Sequence, residues 1–129
     1  MSTTATTIPS PDSQSSPHHA ERPWGSWEVL DIGHGYKVKR ITVQPYARLS
    51  LQTHAHRAEH WLVVAGVATC TVGVQVFSAE AGAHVFVPRG SSHRMANDQP
   101  EALKIVEVQI GSYTGEDDIV RLHDGYGRD

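Results

Sequence analysis

The stretch Gly82-Ala-His-Val-Phe-Val-Pro88-Arg-Gly90-Ser-Ser-His93-Arg-Met-Ala-Asn97 decides how this chain is read. Its fixed points are Gly82, then five residues, Pro88, one residue, Gly90, two residues, His93, three residues and Asn97. With Gly at about 7% and Pro at about 5% of ordinary sequence, the two glycines and the proline alone would fall at these offsets about once in 4,000 starts. Proline presets φ and glycine tolerates the left-handed region, so Pro88 and Gly90 read as a tight turn that sends the next strand back into the fold and delivers His93 inward.

A second spaced set lies upstream. Six residues separate Glu59 from Gly66, four separate His54 from Glu59, one separates Gln52 from His54, and five separate Tyr46 from Gln52. Together the two sets resemble the paired signatures of the cupins, with two departures. Tyr46, after Pro45, stands where the pattern has Gly, and Gln52 stands where it has the first His. The first departure affects a local turn. The second replaces an imidazole with an amide oxygen.

Strand periodicity supports this register on its own, because Ser50, Gln52 and His54 share one face at period two, as do Glu59, Trp61 and Val63 on the next strand. The resemblance to the cupin signatures implies that Gln52, His54, Glu59 and His93 are the ligands of one divalent metal ion. One amide oxygen, two imidazoles and one carboxylate form a mixed set that suits zinc, cobalt, nickel, manganese or iron without choosing among them; zinc is the expected ion. His54 and His56 form a second His-X-His pair, but only two residues part His56 from Glu59, one short of the pattern. His56 stays open as an alternative ligand and otherwise as a pocket residue. His60 alternates away from Glu59 and is expected to pack or to lie at an interface.

Working outward, short segments rich in Val, Ile, Leu and aromatic residues alternate with Gly, Pro, Asn and Asp. Strands are expected at 25–30, 36–43, 49–54, 59–64, 68–72, 74–78, 84–87, 93–96 and 102–109, with a helical turn only near 117–122. Many short strands at regular spacing give an all-β fold, a single cupin (double-stranded β-helix, jelly-roll barrel) over residues 22–129. Residues 1–21 are rich in Ser, Thr and Pro and offer little apolar surface to offset ordering entropy, so they are expected to form a disordered tail. His18 and His19 in it receive no role.

The bulk properties fit one domain of 129 residues, 39% hydrophobic, with one core. A net charge of -3 with scattered Lys and Arg argues against nucleic acid as a partner. The apolar run 61–72 is interrupted by Gly66 and is too short to span a bilayer, and no signal peptide opens the chain. A lone Cys70 excludes an intramolecular disulfide. These features lead to the expectation of a cytoplasmic protein without a membrane partner. Exposed edge strands lead to the expectation of a homodimer.

A narrower resemblance rests on Arg22-Pro-Trp-Gly-Ser-Trp-Glu28, Tyr36-Lys-Val-Lys-Arg-Ile41, Leu49-Ser-Leu-Gln-Thr-His54, Arg57-Ala-Glu-His-Trp61, Pro88-Arg-Gly-Ser-Ser-His-Arg94, Glu107-Val-Gln109 and Gly115-Glu-Asp-Asp-Ile-Val-Arg121. A closing segment through Asp124, Tyr126 and Arg128 adds to it. These segments resemble the type II mannose-6-phosphate isomerase family, whose cupin is usually fused behind a mannose-1-phosphate guanylyltransferase. The 129 residues leave no room for a nucleotide-binding half. The expectation is therefore the isomerase alone.

The resemblance implies metal-dependent interconversion of mannose 6-phosphate and fructose 6-phosphate, with a proton moved between C1 and C2 through an enediol. Glu107 shares a face with Leu103, Ile105 and Gln109 and is the expected base. Lys39 and Arg57 are the expected phosphate anchors, with Arg94 and Arg121 as further candidates. Trp61, on the face of Glu59, is the aromatic to test as a sugar-stacking wall; Trp24 and Trp27 are expected in the core. Two other functions use the same residues. One is a metal-dependent oxygenase built on His54, His93 and Glu59, and the other is a non-catalytic cupin that binds a sugar phosphate or sugar nucleotide.

Overall fold

The structure is a computed structural model that describes residues 18–123. Most of the expected tail, and Asp124, Tyr126 and Arg128, lie outside the described residues. Three adjacent strands show why the chain folds as it does. In β3 (Tyr36–Val43), and in β5 (Arg57–Ala65) and β10 (Leu103–Gly111) up to Val63 and Gln109, every second residue is buried. Alternation of this kind is what one face of a pleated strand produces against a core.

The inward rows are not uniformly apolar. Along β3 they run Val43, Ile41, Lys39, Lys37; along β5, Val63, Trp61, Glu59, Arg57; along β10, Leu103, Ile105, Glu107, Gln109. Antiparallel pairing sets Ile105 opposite Ile41 and Val63, Glu107 opposite Lys39 and Trp61, and Gln109 opposite Lys37 and Glu59. The change from apolar to polar therefore falls at nearly one level on all three strands. One end of the barrel is core and the other is a polar chamber. Each fully buried Leu, Ile or Val contributes about 1.5–3 kcal/mol, which offsets part of the cost of burying the charged end. A slip of one residue in any strand would turn its four inward side chains to solvent.

Among the described residues eleven strands form two sheets. The first runs β1 (His19–Arg22), β2 (Gly25–Gly33), β3, β10, β5, β8 (His84–Val87). The second runs β11 (Val120–His123), β4 (Leu51–Thr53), β9 (His93–Ala96), β6 (Val67–Val72), β7 (Gln75–Glu80). The core between them joins Trp24, Trp27, Trp61 and Leu103 to Cys70 and Met95. The all-β expectation holds, with every named pairing antiparallel.

Two expectations are corrected. Residues 19–21, read as tail, form β1 with Arg22, and Ala20 is buried. Their polar composition hid this because an added edge strand is held by main-chain hydrogen bonds, which any sequence can make. The helical turn expected at 117–122 is a turn at Glu116 and Asp117 followed by β11, which pairs with the edge of β4. So short a helix is unstable by itself, and the free ladder of β4 wins.

The signature residues have visible reasons. Ser91 N–H donates to the Pro88 carbonyl at 3.1 Å, and Gly90 sits at φ +81° with its N–H on the His54 carbonyl at 2.9 Å. The turn thereby ties β9 to the end of β4. Asn97, fully buried, donates to the carbonyls of Val43, Gln44 and Glu101 and accepts from Gln99 N–H. A Cβ at Gly66 would come within 2.8 Å of the Ala102 carbonyl oxygen. Tyr46, where the pattern has Gly, takes φ 60° with its side chain largely exposed, so the unusual backbone is kept at the expense of strain.

Candidate metal centre

Three of the four expected ligands converge in the polar chamber. His54 follows β4, Glu59 lies on β5 and His93 opens β9, and all three are buried. His54 Nε2 lies 3.1 Å from Glu59 Oε2, His93 Nε2 lies 3.8 Å from Glu59 Oε1, and the candidate ligand atoms all fall within 4.8 Å of one another. Zinc–ligand bonds of about 2.0–2.2 Å span ligand atoms about 3–4 Å apart, so the set could hold a divalent ion once its widest pair closes by about 1 Å.

The imidazoles are oriented for this. His54 Nδ1 meets the Asp118 carbonyl, and His93 Nδ1 donates to the Ser91 carbonyl at 3.0 Å. Carbonyl partners require N–H on both Nδ1 atoms, which leaves the Nε2 lone pairs facing Glu59. Burial alone would raise the Glu59 pKa, but a hydrogen bond with Glu107 and the adjacent Arg57 guanidinium, whose Nε donates to Glu59, outweigh it and hold the carboxyl well below its usual range. The chamber thus offers two neutral nitrogens and an ionised oxygen.

Gln52 lies opposite His93 in the β4–β9 register and lines the same cavity. Its amide nitrogen donates to Ser50 Oγ at 3.0 Å and to the Ser50 carbonyl at 3.3 Å, which leaves Oε1 as the atom able to meet a cation. His56 is elsewhere. Its side chain is 57% exposed and its Nδ1 is 3.1 Å from Asp118 Oδ1, so the structure does not bring it to the three ligands. We expect Gln52→Ala to weaken zinc binding about tenfold and His56→Ala to leave it within twofold, read by competitive titration with a zinc indicator. The reverse order would make His56 the ligand.

Glu107, the expected base, is buried on β10, a central strand, and lines the cavity. Its carboxylate accepts from Gln109 Nε2 at 2.7 Å and from Trp61 Nε1 at 3.2 Å. Burial first, then the charge of Glu59 and a hydrogen bond with it, pushes its pKa up to about 8. Two neighbouring carboxyls in one dry site cannot both ionise easily, so one is held low and the other high.

The expected phosphate anchors are both inside and both engaged. Arg57 Nε donates to Glu59 Oε2 at 3.1 Å, Nη2 to His54 Nε2 at 3.1 Å and Nη1 to the Gly115 carbonyl at 3.2 Å. Lys39 Nζ is 3.0 Å from both carboxylate oxygens of Glu116 and lies 3.9 Å over the Trp27 ring. Arg121 lines the cavity, whereas Arg94 bonds to His123 and does not line it. Trp61 is no stacking wall. It is 1% exposed, and its indole N–H bridges Glu59 Oε1 at 2.9 Å to Glu107, while Trp24 and Trp27 line the cavity instead. His60 faces outward and stacks on His84.

Sequence reading missed Lys37, Glu116 and Asp118 as site residues. Lys37, fully buried, donates to the Thr114 carbonyl at 2.6 Å and to Glu116 at 3.3 Å. Asp118 accepts the Ala55 and His56 N–H groups at 3.0 Å each and so holds the bend between the ligands. Period two with Lys39 was a usable signal for Lys37. Nothing local marked the other two.

Comparison with known proteins places this arrangement. The family model described as mannose-6-phosphate isomerase C-terminal matches residues 11–124. The chain belongs to that family. The alginate biosynthesis protein AlgA of Pseudomonas aeruginosa is 52% identical over 113 residues, 86% of this chain and 24% of AlgA. The xanthan biosynthesis protein XanB of Xanthomonas campestris is 51% identical over 107 residues, 83% of this chain and 23% of XanB. Mannose-1-phosphate guanylyltransferase ManC of Salmonella typhimurium is 45% identical over 115 residues, 86% and 24% of the two chains. The chain spans about a quarter of the length of these curated relatives. Among solved structures, Bacillus subtilis oxalate decarboxylase superposes with TM-score 0.72 at 22% identity, over 82% of this chain and 30% of that one. A Klebsiella pneumoniae protein with a double-stranded β-helix domain gives 0.66 at 22%, over 91% and 97%. At these identities the structures establish the cupin fold alone. No helix among the described residues is long and apolar enough to cross a membrane.

Proposed function

We propose that this cupin is a metal-dependent isomerase of mannose 6-phosphate and fructose 6-phosphate. One observation carries the reading: Gln52, His54 and Glu59, the buried carboxyl of Glu107 and the buried cations Lys39 and Arg57 all line one cavity of about 100 Å³, with His93 within ligand reach of Glu59. An aldose–ketose isomerisation needs an electrophile, a base and an anchor for a dianion, and each has a candidate there. A bound divalent ion would supply Lewis acidity toward the sugar carbonyl. Gln52, His54, Glu59 and His93 would hold it.

Glu107 takes the proton from C2 and returns it to C1. A carboxyl pushed toward 8 is a stronger base than an ordinary carboxylate, yet a fraction of it is ionised at neutral pH. Trp61 and Gln109 fix it by one hydrogen bond on each oxygen. Arg57 and Lys39 make the chamber attractive to a phosphorylated sugar, and Arg121 stands on the same wall. The cytoplasm, where Cys70 stays reduced and sugar phosphates occur, is the proposed location. The outward apolar residues Leu62, Val64 and Phe86 on β5 and β8 are the proposed surface of a homodimer.

The test strips metal with a chelator, restores zinc, cobalt, nickel, manganese or iron(II) singly under anaerobic conditions, and follows fructose 6-phosphate formed from mannose 6-phosphate. Turnover with at least one ion is expected. No turnover with any ion rejects the isomerase, and product formation only with iron and dioxygen replaces it with an oxygenase.

A further inference from the structure

The cavity beside the candidate metal ligands holds about 100 Å³, less than the roughly 300 Å³ or more of usual small-molecule sites. Its lining side chains therefore bear on what can enter. The irregular segment 112–119 between β10 and β11 closes one side, and its backbone is pinned. Lys37 holds the Thr114 carbonyl, Arg57 the Gly115 carbonyl and His54 the Asp118 carbonyl.

The Glu116 side chain is different. It lines the cavity, its carboxylate is shared between Lys39 and Lys37, and it is 27% exposed where the two lysines are 6% and 0%. Glu59, by contrast, is fixed by Arg57 and Trp61 on the floor. Glu116 can rotate into solvent about its own side-chain bonds while the pinned backbone stays in place. Its departure would leave the Lys39 ammonium on the cavity wall, and the fully buried Lys37 ammonium, without that carboxylate. Burying charge in this way is costly unless another anion arrives.

We infer that Glu116 is a displaceable anion that occupies the phosphate subsite, and that the phosphoryl group of the substrate takes over Lys39 and Lys37 as Glu116 swings out. The inference rests on the sugar-phosphate reading and adds its subsite and its gate. A phosphoryl group is a fitting replacement because it brings about two negative charges and three acceptor oxygens where Glu116 offers one charge and two oxygens. Displacement makes the site selective: a neutral sugar cannot compensate the lysines and leaves Glu116 in place.

Isothermal titration of the metal-loaded protein with inorganic phosphate tests this. Glu116→Gln, which keeps the shape and removes the competing charge, is expected to bind phosphate about tenfold tighter than wild type. Adding Lys39→Met is expected to abolish that gain. Glu116→Asp, charged but shorter, is expected to fall between the two carboxamide and carboxylate forms. Thermal melts of each variant show that it is folded, and if Glu116→Gln does not fold the comparison of Glu116→Asp with wild type decides. Unchanged or weaker phosphate binding in Glu116→Gln overturns the inference, as does a gain that survives Lys39→Met, since phosphate would then sit on the metal or on Arg121. Tighter phosphate binding with no turnover of mannose 6-phosphate rejects the isomerase and leaves the subsite standing. Turnover without tighter binding does the reverse.

Discussion

His93→Ala is expected to leave a folded protein that no longer holds stoichiometric metal. His93 supplies one of two imidazole nitrogens, and its replacement leaves His54, Glu59 and the weaker amide oxygen of Gln52. Loss of a residue that only orients a ligand through a hydrogen bond typically costs about 10–100-fold in metal affinity. Removal of a ligand should exceed that, so zinc affinity is expected to fall by more than about a hundredfold. Wild type with metal at a hundred times its Kd gains about 2.7 kcal/mol of stability through mass action. The variant should lose this metal-dependent rise in Tm and show near-zero zinc by elemental analysis after gel filtration. Stoichiometric zinc in folded His93→Ala would show that the ligand set is wrong.

Glu107→Gln is expected to reduce isomerase turnover by about 10²–10⁴-fold, the usual range for a positioned general base, with metal content unchanged. The amide keeps the shape, and its nitrogen can take the place of the carboxyl proton toward Glu59, so the fold should persist. It cannot take a proton from carbon. The matching signature is loss of solvent-deuterium incorporation at C2 of mannose 6-phosphate. A variant that exchanges this proton at the wild-type rate removes Glu107 from the base role. A variant that loses metal instead makes Glu107 a support for Glu59, through the hydrogen bond between them and the Trp61 indole they share.

Both predictions depend on parts of the site that were legible to different degrees. His54, Glu59 and His93 could be found because turn chemistry and the period of two act within a few residues, and both leave marks in spacing. Gly90 had to be a residue that accepts φ +81°, and Gly66 one without a Cβ. Glu107 was harder, since the same period of two is compatible with an inward strand and with a solvated edge. The deciding fact is that β10 lies between β3 and β5, a property of sheet order.

Spacing along the chain was enough for the all-β class, the turn before His93, the inward faces of the ligand strands and the separation of His60 from them, because each follows from backbone sterics over short spans. Strand order and packing were needed to show that Ala20 and Arg121 belong to paired edge strands, that Trp61 bridges two carboxylates, and that Lys37 and Lys39 share Glu116 across 79 and 77 residues. The physical reason is that edge pairing draws on backbone groups every residue carries, and a buried ion pair depends on which side chains the strand order brings together. Neither leaves a periodic trace along the chain.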